Sequence, residues 1–498
     1  MKILFGAINT QRLHLWCGLF AAIWLSVLGI TGFILDHRDN WRWMWQSGLN
    51  QSFLPKDIVD KSRNSSIRLY QKSPHSEKHE LSGGMTGLWW RTDISHEWQA
   101  SKFVNSKDKP LVYQILFNEM IAGHVWLASD NGVWYSKDNG QHFRKLALSN
   151  QSITAIDQSN KNVLYIVDDR SQVYKLDTIT AAKTEIQLRP LAKHNLPESI
   201  SLSRFVRDLH YGRGVNTVSG SLLWNDIAGL AMVILPITGF LFYWLPKRWR
   251  HRKSIGDSIS HSYKQHTMRW LFRLHGPSMG LITFIPVVYI SLTGIFLGHN
   301  TLREWMKPIQ VTHGFQTPVY DINEWQGHIY GIVVRNNGDI VSLGTRLGVF
   351  STNDEGETWV REGLWRDKAV FAWTVRKIKD NLIVGGMGSP NFIYKGSSNN
   401  WSKINSRVHM PTDVTMYKRD ILLKNNNGLW RINQNEKKYR ENIELPFLNY
   451  IPWYYVVDGL HSGVLIHAQW KWINDLIAVL AIVLVFTGLM RWWKTRWI

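Results

Sequence analysis

The sequence contains a single cysteine, Cys17, among 498 residues. One cysteine cannot form an intrachain disulfide, a Cys-x-x-Cys metal site or a cysteine-ligated iron–sulfur cluster. The sequence also lacks a P-loop, a Gly-x-Gly-x-x-Gly turn after a strand, and the patterns of serine or cysteine nucleophiles. A nucleotide-binding domain and a hydrolase are therefore not expected, and any redox chemistry must use ligands other than cysteine.

Acidic residues are also scarce. The 38 Asp and Glu stand against 58 Lys and Arg, which gives a net charge of +20. Such an excess is typical of chains that meet nucleic acid, anionic lipid or acidic substrates. The mean hydropathy is only −0.21, yet charged residues are absent from several long stretches. The average therefore conceals membrane spans, and the placement of the basic residues decides between these partners.

Four apolar stretches are long enough to cross a bilayer, which requires about 20 residues. The first stretch lacks the cleavage site of a secretory signal, so we interpret it as a retained span. The predicted fold class is a membrane protein with a four-helix transmembrane bundle, whose helices are residues 12–37, 223–246, 274–299 and 471–493.

Basic residues cluster between the second and third spans, in residues 247–273. This segment carries eight Lys and Arg and a single acid, Asp257. By the positive-inside rule it is a cytoplasmic loop, and both chain termini lie on the same side. The long segments 38–222 and 300–470 then lie in the periplasm, outside a bacterial inner membrane. Topology explains much of the positive charge, so lipid is the expected partner and nucleic acid is not.

The two halves of the chain repeat one another. Arg-Leu-His opens the first and third spans, Leu-His precedes the second and fourth spans, and each span contains a Thr-Gly step. We predict an internal duplication with a pseudo-twofold axis along the membrane normal, as in other parallel-repeat membrane proteins. The duplication matches three pairs of histidines: His14 with His275, His37 with His299, and His210 with His461.

The outside segments share a second repeat, Ser/Thr-x-Asp-x-Gly-x-x-aromatic, at residues 136–143 and 352–359. This Asp-box pattern predicts a hairpin turn in which Asp138 or Asp354 accepts hydrogen bonds from local backbone amides. The glycine allows a positive φ, and the aromatic side chain packs beneath the turn. Alternating runs around both turns predict short strands. We therefore expect two β-rich periplasmic domains.

Three symmetric pairs of histidines at the membrane edges indicate a cofactor held between facing helices. Bis-histidine haem takes one axial nitrogen from each side, and the porphyrin fills the gap between helices. Zinc or copper is the competing chemistry, but thiolates and carboxylates are scarce within the spans. The predicted cofactor is haem b, two per chain, with six candidate ligands: His14, His275, His37, His299, His210 and His461.

The spacing of these histidines predicts a path for electrons. His37 follows His14 by 23 residues, which is about 35 Å along a helix. Haems at these two levels would connect the cytoplasmic and periplasmic faces. His210 and His461 lie just outside the second and fourth spans. They are candidates to replace a member of the outer pair, to form a third site, or to bind substrate iron.

These motifs resemble the PepSY-associated transmembrane family of iron uptake, which includes the FoxB-type inner-membrane ferric-siderophore reductases. The resemblance implies a dihaem protein that passes electrons outward, from a cytosolic or quinol donor, to ferric iron or a ferric siderophore, and so releases ferrous iron for import. It implies roles in this chemistry for the six histidines. It covers the membrane part of the chain well, but the outside segments carry Asp-boxes instead of a PepSY sequence, so a different substrate is expected.

Other interpretations make different predictions. A membrane-anchored sensor or periplasmic binding protein would use the histidines structurally and bind no haem, whereas a metal or haem transporter would need a polar path that the spans barely offer. Asp226 and Asp475 are expected to cap the N-termini of the second and fourth helices. Cys17 is expected to pack inside the first helix.

Overall fold

The computed structural model describes residues 10–106, 109–160, 162–215, 218–256, 259–312, 315, 320, 325–335, 338–364, 368–396, 398, 400–404, 408–417, 420–433, 438–441 and 443–496. Asp257 lies outside these residues, as do residues 1–9. The described helices are α1 (Thr10–Asp36), α2 (Trp43–Gln46), α3 (Lys56–Ser65), α4 (Leu202–His210), α5 (Val218–Ser254), α6 (His261–Arg273), α7 (Phe284–Gly298), α8 (Asn300–Met306), α9 (Trp453–Ser462) and α10 (Lys471–Arg496), with a π-helical segment at Leu274–Gly280.

The chain is a membrane protein. Three described helices, α1, α5 and α10, are long and apolar enough to cross a bilayer. α6, the π segment and α7 together form a fourth span if they are counted as one. The helical path between them bends by 60°. The bend lies between Gly280 and Phe284, directly after the π-helical segment that contains His275. The predicted span 274–299 thus begins with a π-helical segment and then bends.

The basic segment 247–273 is helical along most of its length, although we predicted a loop. α5 continues for eight residues beyond the predicted end of its span at residue 246, and α6 begins at His261. Exposed basic side chains are compatible with a helix once it has left the apolar layer, so the hydrophobic run marks the end of the span and does not mark the end of the helix.

The membrane helices pack side by side in a ring, since α1 contacts α5 and α10, and α7 contacts the same two helices. Small residues allow this close approach. Ala21, Ala228 and Ala231 are buried in the centre of the bundle. At the crossing of α1 and α5, a Cβ added to Gly29 would lie 2.5 Å from the carbonyl oxygen of Gly229.

In the part of the chain that the structure describes, the outside segments fold into six sheets of four consecutive antiparallel strands each. A short strand, β1 (Gly48–Leu49), precedes them. The first three sheets are β2 (Leu69–Lys72), β3 (Glu80–Gly84), β4 (Gly87–Arg91) and β5 (Gln99–Ala100); β7 (Val112–Phe117), β8 (Val125–Ser129), β9 (Gly132–Ser136) and β10 (His142–Ala147), with β6 (Lys102–Phe103) on the outer edge; and β11 (Ile153–Asn160), β12 (Val163–Asp168), β13 (Gln172–Asp177) and β14 (Lys183–Ile186).

The second outside segment supplies the other three sheets. After the short strands β15 (Ser199–Ser201) and β16 (Gln310–Thr312), these sheets are β17 (Ile329–Arg335), β18 (Ile340–Thr345), β19 (Val349–Thr352) and β20 (Val360–Arg361); β21 (Ala372–Ile378), β22 (Asn381–Gly386), β23 (Asn391–Lys395) and β24 (Asn400–Ile404); and β25 (Asp413–Tyr417), β26 (Asp420–Asn425), β27 (Gly428–Ile432) and β28 (Lys438–Glu441). The last strand is β29 (Ile451–Pro452).

The six sheets close into one ring. Contacts run between the first strands of neighbouring sheets, through β2, β7, β11, β17, β21 and β25, and β25 contacts β2 again. Sheets arranged radially in this way, each with its first strand innermost, are the blades of a six-bladed β-propeller. Both outside segments are β-rich, as predicted. The expectation of two separate domains is corrected, because each segment supplies three blades of one closed ring.

The Asp-box turns have the predicted local structure. Asp138 Oδ1 accepts hydrogen bonds from the backbone amides of Gln141 and His142, at 3.1 and 3.0 Å. Gly140 has a φ of 89°, and the Phe143 ring beneath it is fully buried. Asp354 makes the equivalent bond to the amide of Thr358, at 2.9 Å. Each turn joins the third and fourth strands of its blade and stabilises that hairpin.

Two matched connections join the propeller to the membrane helices. β1, which follows α1, pairs with β29, which precedes α9; β16, which follows α7, pairs with β15, which precedes α4. α9 then packs on α1, and α4 packs on α7. The short helices α4 and α9 therefore lie where the propeller meets the bundle.

The crossing of α1 and α5 can be tested with two alanine substitutions in the same helix. Both Gly29→Ala and Gly18→Ala should raise the helix propensity of α1. Only the Cβ at position 29 meets a backbone carbonyl, because at position 18 it would lie 3.6 Å from a Leu484 methyl, an ordinary contact. We expect Gly29→Ala to lower the melting temperature in detergent by several degrees, about 1–3 kcal/mol of overpacking, and Gly18→Ala to leave it unchanged or raised. Equal effects of the two substitutions would show that the helices do not cross at Gly29.

Candidate functional site

His14 and His275, which we call the inner pair, face each other between the membrane helices. His14 lies on α1 and His275 lies in the π segment, and their ring centroids are 6.1 Å apart with ring planes at 88°. The predicted pairing of His14 with His275 is therefore the arrangement that the structure contains. Both side chains are partly buried between helices, so their ring nitrogens need partners within the protein.

Each inner imidazole rests on a threonine of another helix. His14 Nδ1 is 2.8 Å from Thr487 Oγ1 on α10, and His275 Nδ1 is 2.8 Å from Thr238 Oγ1 on α5. The threonine hydroxyls donate their single hydrogen to the backbone carbonyls of Val483 and Ile234, four residues earlier. The threonine oxygen must then accept, so Nδ1 of each histidine donates. This assigns the neutral tautomer whose Nε2 carries a lone pair.

The outer histidines use the same arrangement. His210 Nδ1, at the end of α4, is 3.1 Å from Thr293 Oγ1 on α7. His461 Nδ1, on α9, is 2.9 Å from Thr31 Oγ1 on α1. Thr293 and Thr31 also donate to carbonyls four residues earlier in their helices. His210 and His461 are therefore held in the same way, each on a threonine of a membrane helix, and in the neutral imidazole Nε2 is the unprotonated nitrogen.

The glycine of each Thr-Gly step gives the imidazole its space. A Cβ added at one of these glycines would lie 3.3–3.4 Å from the Cε1 atom of the histidine that rests there. The imidazoles thus lie against bare helix backbone. The four glycines and their histidines are Gly488 with His14, Gly239 with His275, Gly294 with His210, and Gly32 with His461.

His37 and His299 contact aspartates, whereas the other four histidines contact threonines. His37 Nε2 is 3.0 Å from Asp226 on α5, and His299 Nε2 is 2.6 Å from Asp475 on α10. Nε2 of each of these histidines is thus hydrogen-bonded to a carboxylate, whereas the other four histidines have a threonine at Nδ1. The structure brings each of these histidines to an aspartate on a different helix, in contrast to the expected pairing of His37 with His299.

Asp226 and Asp475 are not N-caps, which corrects our expectation for them. α5 begins at Val218 and α10 begins at Lys471, so both aspartates lie inside their helices. The predicted helices 223–246 and 471–493 already contained both aspartates, and α5 begins earlier still, so neither aspartate stands at a helix start. The aspartates instead hold the histidines that end the first and third spans, as the short distances show.

Two asparagines anchor the short helices that carry the outer pair. Asn225 Nδ2 donates to the His210 carbonyl oxygen at 2.8 Å, and Asn474 Nδ2 donates to the His461 carbonyl oxygen at 3.1 Å. Asn474 Oδ1 also accepts from the Trp24 indole at 2.6 Å. The asparagines thereby fix α4 and α9 against α5 and α10.

Sequence reasoning did not find the roles of the threonines and asparagines. A signal for the threonines was present, because the membrane spans contain four Thr-Gly steps and the chain has four Leu-His steps that end in the candidate histidines. Their equal number indicated that each of these histidines contacts one threonine. Which threonine a given histidine contacts depends on which helices become neighbours. Among the described residues, no three His, Cys, Asp or Glu side chains gather as metal ligands.

A family model described as the PepSY-associated TM region matches residues 11–330. The chain belongs to the PepSY-associated TM family. The match contains α1, α4, α5 and α7, together with five of the six candidate histidines; His461 lies beyond it. Membership confirms the family to which the motifs pointed, and it confirms a membrane protein. A search of curated protein sequences finds no significant match to the chain.

Solved structures show only a distant likeness to this member of the PepSY-associated TM family. An ancestral GH74 enzyme is 12% identical, with a TM-score of 0.34, over 75% of this chain and 37% of that one. The extracellular domain of a putative hybrid two-component system from B. thetaiotaomicron is 8% identical, with a TM-score of 0.37, over 78% and 35%. YCF48 from Cyanidioschyzon merolae is 9% identical, with a TM-score of 0.35, over 76% and 84%. The chain spans about a third of the length of the first two, and the propeller assignment rests on its own strand contacts.

The anchoring asparagines provide a test of how the outer pair is held. Asn225→Ala and Asn474→Ala each remove the donor that holds a histidine carbonyl, and each leaves buried partners unsatisfied, at a cost of about 1–3 kcal/mol. We expect both variants to melt several degrees lower in detergent, as followed by tryptophan fluorescence. Asn426→Ala is the matched control, because Asn426 is exposed in the turn between β26 and β27. Unchanged melting of both anchoring variants would contradict this role.

Proposed function

We propose that the protein is a bis-histidine dihaem reductase of a bacterial inner membrane, which carries electrons outward to ferric iron or a ferric siderophore. The observation that carries the proposal is the set of four histidines whose Nδ1 atoms are hydrogen-bonded to threonine oxygens, two of which, His14 and His275, face each other. When bound, haem supplies a one-electron iron couple at each level.

His14 and His275 would hold the inner haem. Their ring centroids are 6.1 Å apart, and a threonine at Nδ1 of each ring leaves Nε2 for the iron. An imidazole that donates through Nδ1 presents a more basic Nε2 to a metal, and the hydrogen bond fixes the ring orientation. The glycines beside these rings keep the space free of side chains.

His210 and His461 would hold the outer haem, since their nitrogens are prepared in the same way. Thr31, against which His461 rests, lies 17 residues after His14 on α1, a rise of about 25 Å. The two levels are therefore closer than the 35 Å expected from His37. His37 and His299 remain outside both pairs and hold aspartates at the membrane edge.

The expected membrane topology gives the direction of electron transfer. The basic residues of α5 and α6 lie at the end of the bundle away from the propeller, and the positive-inside rule places that end in the cytoplasm. With the bent α6–α7 pair as a fourth span, both chain ends lie in the cytoplasm and the propeller lies in the periplasm. The matched hydrogen bonds and strand pairs of the two halves support the duplication. The electron donor is then a cytosolic protein or a membrane quinol.

The proposal can be tested by the absorbance of the purified protein. We expect a Soret band that shifts on reduction with dithionite, and two haems per chain by pyridine haemochrome. His14→Ala and His210→Ala should each lose about one haem, because each removes an axial ligand from a different pair. His37→Ala and His299→Ala are the matched controls and should keep both haems.

Two outcomes would count against this assignment. A folded, colourless protein after expression with ample haem would reject the dihaem reductase. Loss of one haem in His37→Ala or His299→Ala, with full loading of His210→Ala, would show that the outer haem uses the other histidines.

A further inference from the structure

A basic cavity lies where the propeller meets the membrane helices. It is lined by residues at or near the starts of the six innermost strands, such as Leu69 and Thr154, and so occupies the mouth of the central channel of the propeller. Arg38 and Asp39, which follow α1, line it from the membrane side, together with Arg213, which precedes α5. We call this space the mouth cavity. The cavity volume is about 100 Å³.

Four arginines and one carboxylate line the mouth cavity. The arginines are Arg38, Arg68, Arg170 and Arg213, and the carboxylate is Asp39. Asp39 lies 3.7 Å from Arg38 Nε and 3.8 Å from an Arg170 nitrogen. Among the described residues, no carboxylate lies within ion-pair distance of Arg68 or Arg213. The cavity therefore holds three more positive charges than negative ones.

The positive charge of these arginines lowers the pKa of two neighbouring side chains, Asp39 and Tyr330. Burial raises the pKa of Asp39, but Arg38, Arg170, Arg68 and Arg213 outweigh burial, and the pKa is lowered. Burial likewise raises the pKa of the Tyr330 phenol, and Arg170 and Arg213 lower it below its ordinary value. All four guanidinium groups thus act on one small volume in which negative charge is stabilised.

Aromatic rings hold three of the guanidinium groups. Arg38 lies 5.4 Å from the Tyr454 ring, Arg68 lies 5.6 Å from the Trp45 ring, and Arg170 lies 4.8 Å from the Tyr330 ring. Stacking uses the face of a guanidinium and leaves its N–H edge for a planar anion such as a carboxylate. The arginines are therefore held in place before any ligand arrives, which lowers the entropic cost of binding.

The mouth cavity is next to the outer histidine pair. Arg213 follows His210 by three residues, and Arg38 follows the end of α1 at Asp36 by two. Asp36 accepts a hydrogen bond from Asn225 at 3.2 Å, and Asn225 also holds the His210 carbonyl. A molecule in this cavity would approach the outer pair from the propeller side.

We propose that the mouth cavity binds an anionic ferric chelate whose ligand carries several carboxylates. This inference rests on the proposed function, which supplies the electron. The ferric iron of the chelate would gain one electron and become ferrous, and haem held by His210 and His461 would supply that electron. No covalent bond to the protein forms or breaks. Ferrous iron is held more weakly by such hard ligands and is then released.

Binding can be measured without turnover, by calorimetric titration of ferric citrate into the oxidised full-length protein in detergent. We expect saturable binding that weakens with salt, and no binding of a cationic ferric trihydroxamate. Arg68→Gln and Arg213→Gln should each weaken ferric citrate binding about tenfold to a hundredfold, since each removes charged hydrogen bonds. Arg144→Gln is the matched control. Arg144 is exposed on β10, the fourth strand of its blade, and its loss should leave the affinity unchanged.

The variants also separate this inference from the proposed function. His210→Ala should bind ferric citrate normally, although its reduction is expected to be lost. Arginine-dependent binding by a protein without haem would support the mouth cavity and reject the reductase. A haem-loaded protein that does not bind ferric citrate, or whose binding is equal in wild type, Arg68→Gln and Arg213→Gln with matching melting temperatures, would overturn the inference. Phospholipid that co-purifies with the wild type and is lost from both arginine variants, without ferric citrate binding, would assign the cavity to a lipid headgroup and overturn it as well.

Discussion

The hydrogen bond from a histidine Nδ1 to a threonine hydroxyl is the contact on which the site depends. In the low-dielectric space between membrane helices, a buried N–H without a partner is costly, and each of the four paired histidines meets this demand with a threonine on another helix. The threonine can accept because its own hydrogen goes to its helix backbone. One contact thus fixes the tautomer of the imidazole, the direction of its Nε2 and the neighbour of each helix.

The same contact explains why the glycine follows the threonine. An imidazole that reaches the threonine oxygen brings its Cε1 atom close to the helix backbone, and a methyl group at the next position would press on that atom. The Thr-Gly step is thus a polar acceptor beside a bare patch of backbone. Each of the four Thr-Gly steps in the membrane helices holds one histidine from the other half of the chain.

The propeller gives the outer half of the site its rigidity. α4 and α9 are short, and a short helix is not stable by itself in water. They are held because the propeller is a closed ring made from both outside segments and because the pairs β1–β29 and β15–β16 tie its edges to the membrane helices. Closure also brings the starts of the six inner strands together beneath the bundle. The converging arginines of the mouth cavity are a consequence of that closure.

The sequence by itself determined the parts that follow from local patterns. Apolar runs located the membrane spans, the Asp-box spacing predicted its hairpin turns, and the Arg-Leu-His and Leu-His motifs marked the histidines, because hydrophobic length and turn chemistry act over a few neighbouring residues. Only the tertiary structure decided that His14 faces His275 and that His37 and His299 bind aspartates. It also decided that His275 lies in the π segment and that two β-rich segments form one propeller. These features join residues as far apart as His14 and Thr487. No periodicity encodes such contacts, since they depend on which helices and strands become neighbours when the whole chain packs.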